Sequence, residues 1–319
     1  MPPSVSVIIP THNRPNLVSR AIKSALAQSL RDLEVIVVVD GPDDETVNTL
    51  ATIADSRVVP YLMTANRGVA STLNAGVQAA RGNWVAVLAD DDEWMPSKLM
   101  TQLETALNSR FKLPLISCRL IARHEIGDLI WPRRVPSDEE PLAEYLFCQQ
   151  GVRAGDKILA PSTFLAPREL FRRVPFTDGL RRNEDADWLL RANQVEGFGI
   201  EFVRTQEPLV IYHCEDSLKR NSHSQDWQSL LDWARARREL LTPHAYASFV
   251  LRAVSDTAAR AGDWNVFFEL MTEARRKGKP DRFDWLAHLA IWWVPFDLRR
   301  QLDRMTDRAT LWLSKTESR

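Results

Sequence analysis

Residues 84–92 read Trp84-Val85-Ala86-Val87-Leu88-Ala89-Asp90-Asp91-Asp92, an apolar run that ends in three adjacent carboxylates. A run with no polar alternation is a strand covered on both faces. Two more such runs lie upstream, at 34–39 (EVIVVV) and 5–9 (VSVII), and a poorer one at 57–62. The run at 5–9 ends at Pro10, and the one at 34–39 is closed by Asp40-Gly41-Pro42. Helical patterns separate them. Pro15 suits a first helical turn, with Leu17, Ala21, Ile22 and Ala25 at helical spacing. Thr46, Val47, Leu50 and Ile53 mark a second helix, and residues 68–80 a third, stopped by Gly82. Buried strands alternating with amphipathic helices predict a mostly parallel sheet flanked by helices, an α/β fold. Ligands of such sheets bind outside the carboxyl ends of the strands. Thr11, Asp40 and the acidic triplet all fall there.

Further along the pattern is less regular. Strands are expected near 115–121 and 208–212, and a helix over 184–193. From about Ser224 only helical segments follow, at 227–241, 245–261, 264–277 and 283–293. Five of the eleven tryptophans (Trp264, Trp285, Trp292, Trp293, Trp312) lie in the last sixty residues, which suggests a task of its own for the C-terminal part. Of the 319 residues, 41 are Lys or Arg and 42 Asp or Glu, a balance that argues against a nucleic-acid partner. The cysteines Cys118, Cys148 and Cys214 form no metal-type pair and no disulfide framework, which fits a reducing cytoplasm. The first apolar run is too short for a signal peptide, and no stretch approaches the roughly 20 apolar residues of a spanning helix. The expectation is a cytoplasmic protein, soluble or peripheral at the inner face of a membrane.

The acidic triplet admits two readings. It is a solvated loop before the helix that begins near Pro96, or it holds a hard divalent cation that neutralises adjacent carboxylates and bridges substrate phosphates. The sequence has no glycine-rich phosphate loop, which favours the second. Asn183-Glu184-Asp185-Ala186-Asp187-Trp188 opens a helix, where acidic residues favour the macrodipole and capping. The functional alternative is a general base toward a hydroxyl. The helix start by itself favours the ionised form of Asp185. His213 stands at another strand end, as a structural histidine or a metal ligand.

In order and spacing, five stretches carry a family resemblance: residues 5–15 (VSVIIPTHNRP), Asp40-Gly41-Pro42-Asp43-Asp44, Asn66-Arg67-Gly68-Val69-Ala70 with Asn74, Gly76 and Gly82, residues 91–99 (DDEWMPSKL), and residues 184–191 (EDADWLLR). Over residues 4 to 220 the chain resembles the family 2 inverting glycosyltransferases of the GT-A fold. The resemblance implies a catalytic domain over 1–223, with a nucleotide-sugar-binding half at 1–112 and an acceptor and catalytic half at 113–223. A helical region over 224–319 follows. It implies Mn²⁺ or Mg²⁺ held by Asp91 or Asp92 with His213, and Asp185 as base with Glu184 as its rival. By motif position it places Pro10, Thr11, Arg14, Asp40, Asn66, Arg67, Asn74 and Asp90 at the nucleotide. The donor would be a nucleotide sugar, UDP foremost, and the acceptor a glycan or lipid-linked hydroxyl in cell-surface polysaccharide synthesis. The register departs from the family at Ala89, which stands where the metal motif usually begins with Asp.

Two other functions are compatible with a nucleotide-binding α/β sheet: a sugar-1-phosphate nucleotidyltransferase and a non-catalytic sugar-nucleotide binding module. The first calls for a glycine-rich loop after the first strand, where this chain has Pro10-Thr11-His12-Asn13-Arg14. Residues 285–296 (WLAHLAIWWVPF) are apolar except for His288 and are flanked by Arg275, Arg276, Lys277, Lys279 and Arg282, and by Arg299, Arg300 and Arg304. That pattern fits a membrane-interface segment, and equally packing against the rest of the chain or a dimer mate.

Overall fold

The structure, a computed structural model, describes residues 2–124, 127–149, 157–214, 226–296, 298–299, 301–302 and 305. In chain order β1 (Val5–Thr11), α1 (Pro15–Leu26), β2 (Leu33–Val39), α2 (Asp44–Ala51), β3 (Val58–Leu62), α3 (Val69–Ala79) and β4 (Trp84–Val87) alternate as the apolar runs predict. They are followed by β5 (Glu93–Trp94), α4 (Lys98–Leu107), β6 (Leu113–Ser117), β7 (Leu120–His124), β8 (Gly127–Trp131), α5 (Leu142–Phe147), β9 (Leu165–Pro167), α6 (Arg168–Arg173), α7 (Glu184–Ala192), β10 (Phe198–Phe202) and β11 (Val210–His213). The remainder is helical: α8 (Trp227–Ala236), α9 (Pro243–Phe249), α10 (Ser255–Arg260), α11 (Phe267–Lys277) and α12 (Arg282–Trp293).

The main sheet has the order β10-β6-β9-β4-β1-β2-β3. Strands β4, β1, β2 and β3 are mutually parallel, and β9 runs antiparallel to both β4 and β6. Every residue of β2 is buried, as a strand covered on both faces requires. Pro10 does not end β1 as the sequence suggests, because the strand runs on to Thr11. Pairing with β4 stops at Ile8 opposite Val87, so the N–H that Pro10 lacks is not needed on that side. Gly76 lets α3 lie against the sheet: a Cβ there would sit 2.4 Å from Ile8 Cγ2.

The strand expected at 115–121 is two strands in two sheets. β6 is buried throughout and belongs to the main sheet, whereas β7 alternates in burial and joins the four-stranded order β5-β11-β7-β8. A continuous apolar run conceals such a change of sheet, because both segments are apolar on at least one face.

The chain divides into two compact units. One comprises Met1–His124, Ile130–Pro132 and Leu159–Ser217, and the other Glu125–Leu129, Arg133–Ile158 and Leu218–Arg319. The second unit therefore takes in α5 as well as α8 to α12. Phe147 of α5 packs its ring 5.0 Å from Phe249 and 5.9 Å from Trp233, and those two rings are 5.0 Å apart. The boundary expected at 223/224 lies outside the described residues. No described helix is long and apolar enough to cross a membrane.

Candidate active site

β1 and β4 are adjacent and parallel, so the residues that follow them are brought together at one edge of the sheet. Thr11 Oγ1 donates to Asp90 Oδ2 at 2.8 Å. Arg14 Nη1 lies 3.1 Å from Asp90 Oδ1 and 3.4 Å from Asp91 Oδ2. Arg20 from α1 donates to the Asp91 carbonyl at 2.5 Å. Asp90, Asp91 and Asp92 are all buried, Asp91 at 2% and Asp92 at 1% exposure. The solvated-loop reading is thus excluded by burial. Burial, with Asp91's charge adding to it and Arg14 opposing it, pushes Asp90 up to about 6.

The three carboxylates turn to different partners. Asp92 Oδ2 accepts from Ser162 Oγ at 2.5 Å and its Oδ1 accepts from the His213 backbone N–H at 3.4 Å. The His213 ring is engaged elsewhere, with Nε2 2.8 Å from Glu93 Oε1. The short strand β5 makes that pairing possible, because Ile211 of β11 registers with Glu93. Sequence reasoning missed β5, Ser162 and Glu93: two residues are too few for a periodicity, and Ser162 arrives from 70 residues away. The donor set of buried carboxylate oxygens fits a hard divalent cation, and Arg14 and Arg20 are bonded to the same turn. All three carboxylates have protein donors: Asp92 accepts from Ser162 and His213, Asp90 from Thr11 and Arg14, and Asp91 from Arg14. The compact ligand triads that the described residues do form, Glu144–Cys148–His244 and His244–Asp281–Asp284, lie in the helical unit.

Asp40, after β2, accepts from the backbone N–H groups of Arg67 (2.8 Å) and Gly68 (2.9 Å) and so holds the start of α3. Gly41 at φ +94° makes the turn; a Cβ there would sit 2.7 Å from the Asn66 nitrogen. Asp40, Asn66 and Arg67 are thereby gathered in one place. Asn74 is not with them. Its amide donates to the Phe176 carbonyl (2.9 Å) and accepts from the Phe176 N–H (2.8 Å), fastening the 176–178 segment to α3.

Glu184 and Asp185 form a separate pair at the start of α7. Both keep some accessible surface, yet the surrounding protein dominates their titration. Burial raises Asp185, overriding the helix-start effect that the sequence suggests, and burial plus the neighbouring Asp185 charge raises Glu184. The turn is not an ordinary cap. Asn183 occupies the N-cap position at φ 60° in the left-handed region with no side-chain capping bond, and its Nδ2 is buried without a hydrogen-bond partner. Such strain and unmet polarity collect at functional sites. Asp187 differs: it is fully buried, accepting from Thr177 Oγ1 and Arg191 Nε, both at 2.7 Å.

A mostly parallel sheet flanked by helices, with acidic turns after β2 and β4 and a helical C-terminal region, matches the GT-A architecture. The chain belongs to glycosyl transferase family 2, whose model matches residues 6–173. It is 41% identical over 104 residues to the succinoglycan biosynthesis protein ExoO of Rhizobium meliloti (strain 1021), covering 33% of this chain and 30% of ExoO. The chain thus spans about a third of the length of that relative. It is 26% identical over 259 residues to the amylovoran biosynthesis glycosyltransferase AmsB of Erwinia amylovora, covering 76% of this chain and 82% of AmsB. In fold it is similar to S. aureus TarS 1–349 in complex with UDP-GlcNAc, at a TM-score of 0.55 and 16% identity over 81% of this chain and 71% of that one.

Proposed function

We propose that this protein transfers a sugar from a UDP-sugar to an acceptor hydroxyl in polysaccharide assembly, with inversion at the anomeric carbon. The observation that carries the reading is the joining of Thr11, Arg14, Asp90 and Asp91 at the carboxyl ends of β1 and β4, where such sheets bind ligands. The complex of the structurally similar TarS with UDP-GlcNAc supports the donor class, and the names of ExoO and AmsB support the pathway class. Thr11, Asp40, Asn66 and Arg67 would line the nucleotide, with Pro10 shaping the turn into it. Arg14, bonded to the carboxylates of Asp90 and Asp91, would orient the diphosphate. Asp91, or Asp92 with His213 released from Glu93, would hold Mn²⁺ or Mg²⁺. When bound, that cation would supply Lewis-acid stabilisation of charge on the departing diphosphate. Asp185 accepts the proton of the acceptor hydroxyl as the new C–O bond forms. The bond from the anomeric carbon to the phosphate oxygen breaks, and its electron pair leaves with UDP. Burial strengthens Asp185 as a base for that step.

The test is UDP release and product formation by the full chain from a panel of UDP-sugars with Mn²⁺, with the anomeric configuration read by NMR. Transfer with inversion, abolished by EDTA and reduced at least about 10²-fold by Asp91→Ala, is expected. A retained configuration overturns the single displacement. Full turnover in chelator overturns the metal.

A further inference from the structure

In the helical unit, α12 has its polarity reversed. Its buried positions are Asp284, His288 and Trp292, at i, i+4 and i+8. Each is tied by a polar bond to α9, α10 or the π-helical segment Val250–Val254 that joins them. Asp284 Oδ1 accepts from Ser248 Oγ (2.5 Å) and Arg252 Nε (3.0 Å), His288 Nδ1 meets Ser255 Oγ at 2.8 Å, and Trp292 Nε1 donates to the same Oγ at 2.7 Å. The opposite face is apolar and exposed: Leu286 at 59%, Leu289 at 41% and Trp293 at 61%. A helix that docks by its polar seam and turns leucine and tryptophan outward has an apolar stripe that folding of this unit leaves uncovered.

The stripe continues onto neighbouring segments. The Trp293 ring is 6.2 Å from that of Trp264, which is 55% exposed, and 5.1 Å from Phe267, whose neighbour Phe268 is 74% exposed. A groove with a volume of about 620 Å³ is lined by Phe268, Met271, Arg275 and Trp285, which places a cation beside the aromatic surface. Between Trp264 and Phe296 the exposed charged residues are Arg275, Arg276, Lys277, Lys279 and Arg282 against Glu269 alone. A second copy of the same surface would bring these five cations together. An anionic bilayer supplies what the surface lacks, apolar depth for the tryptophans and negative charge for the rim.

We infer that the outer face of α12, with Trp264 and Phe268 beside it and the basic turn between α11 and α12, is an attachment surface for an anionic lipid bilayer. The helix lies in the interface plane, Leu286, Leu289 and Trp293 facing the acyl boundary and Lys277, Lys279 and Arg282 facing headgroups. Contributions of individual lysines or arginines near a charged surface amount to about fivefold each in binding.

The experiment is flotation of the full chain with phosphatidylcholine vesicles containing or lacking phosphatidylserine, at low and high salt. Binding to the anionic vesicles at low salt is expected, at least tenfold weaker to pure phosphatidylcholine. Leu286→Glu and Trp293→Glu should each abolish it, and Lys277→Glu with Lys279→Glu should weaken it more than tenfold. These positions are exposed, and circular dichroism checks that the variants fold. Failure of the wild type to float overturns the proposal, and so does equal binding by the Leu286→Glu variant. A concentration-dependent dimer broken by Leu286→Glu, without vesicle binding, assigns the face to a second copy instead. No outcome depends on turnover, so this test and that of the transferase reading fail separately.

Discussion

Three acidic side chains open α7, and their surroundings give them different tasks. Asp187 is fully buried between Thr177 and Arg191, an arrangement that holds the helix rather than a substrate. Asp185 and Glu184 keep a route to solvent and are raised by burial. Asp185→Asn is nearly isosteric and should retain donor affinity while losing about 10²–10⁴-fold in transfer. Asp187→Asn should keep near wild-type turnover and lose about 1–3 kcal/mol of stability, because Arg191 loses a charged partner. Glu184→Gln is the discriminating control. Steady-state transfer, donor titration and thermal unfolding of the three variants, measured side by side, decide the matter. If only Glu184→Gln is inactive, the base is one residue earlier; if all three turn over normally, α7 plays no part in proton transfer.

At the scale of elements, the contact of α3 with β1 and β2 positions the turn that Asp40 holds. Gly76 allows it, since an added Cβ would meet Ile8 Cγ2 at 2.4 Å and Val38 Cγ2 at 3.2 Å. Both neighbours are fully buried, so neither has room to retreat. Gly76→Ala should therefore destabilise by about 1–3 kcal/mol in spite of alanine's higher helix propensity. Urea unfolding monitored by tryptophan fluorescence reads this directly, and an unchanged or raised midpoint would show that α3 can shift without loss. α12 carries the opposite lesson. A helix is expected there, but an almost uniformly apolar sequence does not reveal which side faces the core. The answer came from Ser248, Arg252 and Ser255, which draw Asp284, His288 and Trp292 inward.

Across the whole molecule, two buried basic groups tie stability to pH. Lys98 is fully buried, 2.6 Å from Gln102 Oε1 and 3.9 Å over the Trp94 ring, and burial pushes it down to about 7. His288 is pushed down to about 4, again by burial. For both groups the unfolded chain binds more protons between the folded and unfolded pKa values. The sign is therefore a rise in stability with pH, from about 4 to 6.5 through His288 and from about 7 upward through Lys98. Cys118 and Cys148, raised by burial to about 11 and about 12, oppose this once the unfolded thiols ionise near pH 8.5. Between about pH 4 and 7 the carboxyls that burial raises, Asp90, Glu184 and Asp185, oppose His288, so the rise belongs to the range above pH 7: melting temperatures should climb from about pH 7 to 8.5 and then level or fall. Lys98→Met should flatten the portion above pH 7. A wild-type profile that is flat from about pH 7 to 8.5 would mean that Lys98 is not as desolvated as its burial implies.

The strand ends were readable from the chain alone because burial on both faces leaves a continuous apolar signature, and a buried strand that stops at Asp or Thr announces its own terminus. That was enough to bring Thr11, Asp40 and Asp90 to one edge of a sheet and to recognise the family. Partnerships among the acidic residues were not readable, because they depend on segments distant in sequence. Ser162 and His213 fasten Asp92, Glu93 takes the His213 ring, and Phe176 occupies Asn74. Nor could local pattern place α5 with the C-terminal helices, since Phe147 meets Trp233 and Phe249 only after the chain has crossed more than eighty residues. Periodicity records which face of an element is apolar. Which hydrogen-bonding groups meet that element, and therefore which carboxylates stay available to a ligand, is settled by the packing of segments that carry no trace of one another in sequence.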